Sequence, residues 1–514
     1  MSKVIELMIK KTFGKQNKKL KEKRYLFMSK TKGKRVIIKG YNLAQATMNH
    51  EGKLILNNES TSEELALSES QFLHIFFRIA GVDFIDAMDF NPIIKVSNVN
   101  LKRIGNLIAE GKEYTFLTIA PNQSKKKEAF YIDVNYYDVA KKIFNLADAG
   151  RVERNKTSEE YKNNEISIAK DLSARWSLLF SGSKRIIVNN KAYIPDMICV
   201  SDIEYTVYTP DTKVFKDGQL VKAEGEDAYN KVTAFDGCGI MTNKVATMIA
   251  KGLGLKKAVP YAVIRTKMAT KGLLTNVNII QYLEDNFPHL KDENGNFKIK
   301  DCWGNERVLT EDSIILNESM VKWSKWFSSM EDYESNREEA FADLFDCLYV
   351  TKYGKGKSKT MAESSYRLLT MLNLTYQEVV GLAEPTRNML ERIIYGEELA
   401  TKVFLNIESE VSTLEEHEDD CIMARNVADK IYMMLGMDYK KIIVIPRVRK
   451  GLISMIGRKT KQLASGKFYL NDTSFKVACA DPLLFLNYCM EQTQREITDL
   501  SQVGGGLKKR GVLH

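Results

Sequence analysis

The chain has 514 residues, with 76 Lys and Arg against 66 Asp and Glu and a formal net charge of +10. Its 44% hydrophobic and 28% charged residues are the mix of a folded globular chain of roughly three or four domains, which excludes wholesale disorder. With only 9 Pro and 30 Gly it is neither collagen-like nor linker-dominated.

No apolar run approaches the roughly 18–20 residues that span a bilayer, and no apolar segment with a small-residue cleavage site follows Met1. The seven cysteines are scattered without a Cys-x-x-Cys spacing, so neither a disulfide framework nor a zinc site is indicated. A soluble, cytoplasmic protein with no membrane partner is expected.

Along the chain, residues 10–39 crowd thirteen Lys and Arg around a single Glu22. Such an arm can neutralise phosphates, or can simply be a solvated basic tail. Strand-like runs follow at 35–39, 114–119 and 130–134, and helical spacing at 71–80 and 137–146. The polar stretch 151–164 marks a boundary. Beyond it, a helical pattern at 165–180 precedes short strands at 185–188, 197–200 and 205–208. A helix is predicted at 243–253, a strand at 258–265 and a turn at Lys271-Gly272 leading into another strand. Residues 331–440 read as mainly helical, including 338–349, with Thr375 as an N-cap. Strands are expected again at 442–445, 467–470 and 475–479.

The motifs that carry chemistry are individually weak. Asp236-Gly237-Cys238-Gly239 is a turn in which Gly239 permits close backbone approach. Lys271 alone reads as a turn lysine, and Lys322 beside Trp323 as a lysine snorkelling past an aromatic ring.

In order, they carry more. Arg175 followed by Phe180-Ser181, Phe235-Asp-Gly-Cys-Gly-Ile-Met-Thr242, Val259-Pro-Tyr-Ala-Val-Ile-Arg265, Lys271-Gly-Leu-Leu274 and Glu318-Ser-Met-Val-Lys-Trp323 follow one another as in a known family. The chain resembles the two-barrel RNA polymerases: the cellular RNA-directed RNA polymerases of RNA silencing and the single-chain phage polymerases related to them. Phe235 and Val263 depart from the family's usual Thr and Gln.

An α+β fold is expected: from the patterning, a mixed α/β region over 1–160 with its basic arm and a helical connector over 331–440, and, as the resemblance implies, a first double-psi β-barrel over 165–330 and the early strands of an incomplete second barrel with a basic tail over 441–514. It implies template-directed nucleotidyl transfer, with Lys271 and Lys322 catalytic, Arg175, Arg265, Arg447, Arg449 and Lys450 on nucleic acid, and Asp236, Gly237 and Gly239 shaping the motif. Nucleic-acid template and nucleoside triphosphates would be its partners.

The family holds Mg²⁺ with an Asp-x-Asp-Gly-Asp loop, and this chain contains no Asp-x-Asp. The nearest pairs, Asp419/Asp420, Asp343/Asp346 and Asp86/Asp89, read as surface charge. The metal aspartates are therefore expected from a second polypeptide or a further C-terminal part, and the open edge of strands after Gly466, with Phe468, Tyr469, Leu470 and Phe475, is expected to pair with it. The alternative is a non-catalytic nucleic-acid-binding or assembly protein that retains a degenerate polymerase barrel.

Overall fold

A computed structural model describes residues 35–56, 63–82, 92–100, 105–119, 127–149, 175–209, 213–216, 218–354, 361–364, 369, 371–405, 431, 434–436, 438–471 and 477–492. The basic arm before residue 35, Asp86/Asp89, Asp419/Asp420, Phe475 and the tail after 492 lie outside them.

Apolar alternation in the first third builds an eight-stranded mixed sheet. Its strands are β1 (Arg35–Asn42), β2 (Thr47–Met48), β3 (Leu54–Leu56), β4 (Glu63–Ser68), β5 (Ile93–Ser97), β6 (Leu107–Ala109), β7 (Lys112–Ile119) and β8 (Ala129–Asp133), in the order β2-β3-β6-β7-β8-β5-β1-β4. Helix α1 (Gln71–Ala80) has the bounds its periodicity predicts. Ser70 caps its first turn by accepting the Leu73 N–H, and Gly81 ends it at φ +68°. Helix α2 (Tyr137–Asp148) buries Ala140, Ile143, Phe144 and Ala147. Phe72 of α1 stacks on Phe180 at 4.0 Å, and Phe130 of β8 stacks on the same ring at 4.9 Å. Phe180 thus carries the core of the first sheet into that of the second.

The second set of strands runs β9 (Lys184–Arg185), β10 (Ile187–Val188), β11 (Lys191–Ala192), β12 (Asp196–Val200), β13 (Ile203–Tyr208), β14 (Lys213–Lys216), β15 (Gln219–Lys222), β16 (Tyr229–Ala234), β17 (Cys238–Met241), β18 (Tyr261–Thr266), β19 (Thr270–Asn276), β20 (Lys298–Lys300), β21 (Glu306–Val308), β22 (Ser313–Asn317) and β23 (Tyr349–Tyr353). Seven of them form a sheet in the order β12-β22-β17-β19-β18-β23-β9. Pairs β12/β22 and β17/β19 are parallel and the other four antiparallel, so the sheet is mixed and the class is α+β. The remaining strands make two-stranded ribbons: β10/β11, β13/β16, β14/β15 and β20/β21.

Helix α3 (Asn243–Leu253) matches its predicted bounds, between the Thr242 cap and Gly254 at φ +74°. Helix α4 (Ile279–Asn286) packs Ile279 and Leu283 into a second cluster with Ile198, Val200 and Ile240.

The helix expected at 338–349 is broken. A 3-10 turn (Glu339–Phe341) and one short turn of α-helix (Ala342–Phe345) lead into β23, because Tyr349 and Val350 are taken up by pairing with Arg265 and Ile264. Asp346 is not surface charge: it is 3% exposed and meets Arg337 Nε at 2.9 Å and Lys267 Nζ at 3.8 Å.

The chain divides into two compact units, residues 1–355 with 479–514, and residues 356–478. In the second, β24 (Met361–Glu363) pairs with β25 (Tyr469–Asn471), alongside helices α5 (Tyr376–Ile394), α6 (Glu398–Leu405) and α7 (Pro446–Ala464). Thr375 caps α5 in a reciprocal box with Glu378. Ile442–Ile445, expected as a strand, is instead the end of a short helix (Tyr439–Ile442) and a turn, which Pro446 converts into the first residue of α7. Phe468 is buried, and Leu470 pairs with Ala362, so this stretch forms one arm of a ribbon.

Returning to the first unit, helix α8 (Pro482–Gln492) occupies a segment read as barrel strand. Asp481 caps it by accepting the Leu483 and Leu484 N–H groups at 2.9 and 3.1 Å. No helix among the described residues is long and apolar enough to cross a membrane.

Candidate active site

The Asp-Gly turn forms as its composition requires. Cys238 N–H donates to Phe235 O at 2.8 Å, and Gly237 takes φ +71°, which glycine adopts without a Cβ clash. Gly239 serves a different need. A Cβ there would stand 2.5 Å from the backbone oxygen of Ile315 on β22. Replacing Gly239 by Ala should therefore cost about 1–3 kcal/mol by overpacking. Urea denaturation reads it, and an unchanged midpoint would show that β22 yields freely.

Two contacts bring Lys271 and Lys322 to one place. Thr270, just before Lys271, makes a β-bridge with Val321, just before Lys322. Gly272, just after Lys271, leaves the space that Met320 fills: a Cβ there would collide with the Met320 side chain. The turn Glu318–Met320 is thereby seated on β19.

Ser319 ties three segments together. Its N–H donates to Asp202 Oδ1 at 3.0 Å, its Oγ accepts the Gly237 N–H at 3.3 Å, and its carbonyl accepts from Lys322 Nζ. Arg265 lies directly across from Lys271 in the β18/β19 register. Arg175 is buried, its guanidinium 5.4 Å from the Trp326 ring centroid and 3.5 Å from the Lys322 carbonyl.

Beneath these groups lies a constrained layer. The β18–β19 connection, Lys267, Met268 and Ala269, has φ of +23°, +30° and +35°, values that side chains with a Cβ rarely adopt. Trp323, fully buried, holds it in place. The indole Nε1 donates to Lys267 O at 3.1 Å, and the ring stacks on Tyr333 at 4.3 Å and on Trp303 at 5.9 Å.

Burial, reinforced by the charges of Lys322 and Arg265 and opposed by Asp236, lowers the Lys271 pKa. Burial pushes Arg265 down to about 10. A half-buried carboxylate, Asp202, sits on the same network. Burial, then the charges of Asp236 and Glu204, raise its pKa against the Ser319 N–H and Lys322. Burial and Asp202 also raise Glu318.

A carboxyl whose folded pKa exceeds its unfolded value contributes stability fully present below the unfolded pKa and lost as pH rises through the folded one. The stability of the wild type relative to Asp202→Asn should therefore fall as pH is raised from the unfolded Asp range near about 4, and level off above the folded value. Urea denaturation at stepped pH measures this; a rising difference over that interval contradicts it.

Of the residues singled out from sequence, Arg175, Asp236, Gly237, Gly239, Arg265, Lys271 and Lys322 belong to this neighbourhood. Arg447, Arg449 and Lys450 lie exposed on α7, in the other compact unit. Sequence reasoning missed Asp202 and Ser319. Ser319 stands inside the Glu318–Trp323 motif, but nothing in its spacing marks it as a hub.

The family model described as RNA dependent RNA polymerase matches residues 68–345, more than half of the 514. The chain belongs to the RNA-dependent RNA polymerase family. The match contains all the ordered motifs from Arg175 to Lys322 and extends back to residue 68, over a region in which no motif is legible. A solved structure, the RNA-dependent RNA polymerase QDE-1 from Thielavia terrestris, is similar at 12% identity and a TM-score of 0.37, with 85% of this chain covered. The match spans 42% of that polymerase. No curated protein matches the chain.

The family implies a divalent metal. Among the described residues, no group of three or more His, Cys, Asp or Glu could hold one. Asp202, Asp236 and Glu318 do not make a metal site.

Proposed function

We propose that this chain supplies the cationic half of the active site of an RNA polymerase that joins nucleoside triphosphates on a nucleic-acid template, the seven-stranded sheet being the core of a first double-psi barrel. The observation that carries this reading is the convergence of Lys271 and Lys322, from separate motifs of the matched region, beside Arg265 and Asp236.

Attack of a 3′-oxygen on an α-phosphate places developing negative charge on phosphoryl and leaving oxygens. Ammonium groups fixed in a partly desolvated setting stabilise that charge without reorganising. Lys322 is fixed by its bond to the Ser319 carbonyl, and Lys271 by its place on β19. The metal ligands come from a second polypeptide, or a further part of the protein, that carries the aspartate loop.

Arg447, Arg449 and Lys450 track phosphates. The contrast within their own unit supports this assignment: Arg387 and Lys402 are each matched by a carboxylate on their own helix, and Arg392 by Glu397, whereas α7 has no acidic residue over its whole length. Phosphate tracking does not read base identity.

Binding to labelled single-stranded RNA should therefore weaken steeply between about 50 and about 200 mM salt, with similar affinity for unrelated sequences. Fluorescence anisotropy tests it. Salt-insensitive binding, or none, would contradict the nucleic-acid role.

A further inference from the structure

The turn between β20 and β21 carries a feature that lies outside the polymerase reading. Cys302 Sγ is 3.5 Å from Cys199 Sγ, and the Cys302 N–H donates to Cys199 O at 2.7 Å. Cys347, by contrast, bonds backbone oxygens. The direct backbone bond and the adjacent sulfurs place the two residues side by side, as a disulfide requires. The sulfurs need only close from van der Waals contact to bonding distance.

The two thiols differ in access. Cys199, on β12, is 1% exposed, whereas Cys302 is partly exposed at the hairpin tip. Contact with Cys302, together with burial, holds the Cys199 thiol well above its ordinary range, so an oxidant meets Cys302 first.

The tip itself is firmly built. Asp301 Oδ1 accepts the N–H groups of Trp303 and Asn305 at 3.0 and 2.8 Å, and Gly304 turns at φ +90°. Trp303 stacks on Trp323 and donates its Nε1 to Ser324 O at 3.2 Å, two residues beyond Lys322.

We propose that Cys199 and Cys302 form an oxidative modification site, a dithiol that a hydroperoxide converts to a disulfide pinning the β20–β21 tip to β12. The Cys302 sulfur takes oxygen from the peroxide to give a sulfenic acid and one water. The Cys199 sulfur then attacks the Cys302 sulfur, forming the S–S bond and displacing the hydroxyl, which leaves as a second water with the Cys199 proton. Two thiols and one peroxide yield one disulfide and two waters. The bond locks the tip that backs the Lys322 turn.

The test uses the full chain exposed to hydrogen peroxide, alkylated in denaturant and mapped by mass spectrometry without reduction. The expected result is a peptide pair linked through Cys199 and Cys302, lighter by two hydrogens than the two thiols and released by dithiothreitol. In Cys302→Ser that product should vanish, leaving Cys199 to be alkylated. Three results would overturn the proposal: both cysteines alkylated after oxidation, Cys302 over-oxidised to sulfinic acid with Cys199 still a thiol, or either joined to another cysteine. Because the linked pair is read in the wild type, a variant that failed to fold would leave the test intact.

Discussion

Replacing Lys271 or Lys322 by Ala should lower templated RNA extension by the assembled polymerase about 10²–10³-fold, the loss expected when one preorganised charge stabiliser is removed. Assembly should stay intact and thermal stability should not fall, because neither ammonium group is buried in an ion pair that the fold needs and Lys271 is held against repulsion. Lys271 is half-buried, with Lys322 and Arg265 repelling it and Asp236 as its opposing charge. That arrangement is costly for the folded chain. Effects of groups that act on one transition state are not additive, so the double variant should fall little below the weaker single one. Single-turnover extension measures this, and full activity in the double variant would remove both lysines from the chemistry.

Trp323→Ala should cost about 3–5 kcal/mol, the upper range for emptying an aromatic site in a core. The ring is fully buried between Trp303 and Tyr333, with Phe327 at its edge, and its Nε1 also reaches Thr270 Oγ1 at 3.2 Å. Its loss frees the left-handed residues 267–269 and exposes the Lys267–Asp346–Arg337 cluster to rearrangement. Because Trp323 follows Lys322 directly, RNA extension should fall along with stability. Urea denaturation gives the first number; a loss under about 1 kcal/mol, ordinary for a surface change, would contradict this account of the layer.

Sequence periodicity located elements whose ends carry local signals. Helices α1 and α3 are bounded by Ser70 and Thr242 caps and by Gly81 and Gly254, and all four positions are readable without tertiary knowledge. Order-dependent motifs single out residues that the fold brings together, and Gly239 and Gly272 are small for reasons that lie across the sheet, at Ile315 and Met320. Other local signals compete with apolar runs. Asp481-Pro482 is a cap followed by a first-turn proline, and Ile445-Pro446 opens a helix too, but the apolar runs beside them suggested strands. Still others were not legible at all. Asp346 is buried only because Lys267 and Arg337 arrive from other segments, and Asp202 matters only because Ser319 turns its N–H toward it. Burial and partner identity of this kind are long-range properties that local pattern does not encode.

The most direct test of the central claim is templated incorporation of nucleoside triphosphates by complexes captured from the native host on this chain as bait, with their composition read by mass spectrometry. The account predicts RNA synthesis that needs a template and a divalent cation, a companion polypeptide or further segment bearing Asp-x-Asp-Gly-Asp, and no product from Lys271→Ala, Lys322→Ala bait that still assembles. Complexes without such an aspartate loop that make no RNA, or undiminished synthesis by the double variant, would contradict it.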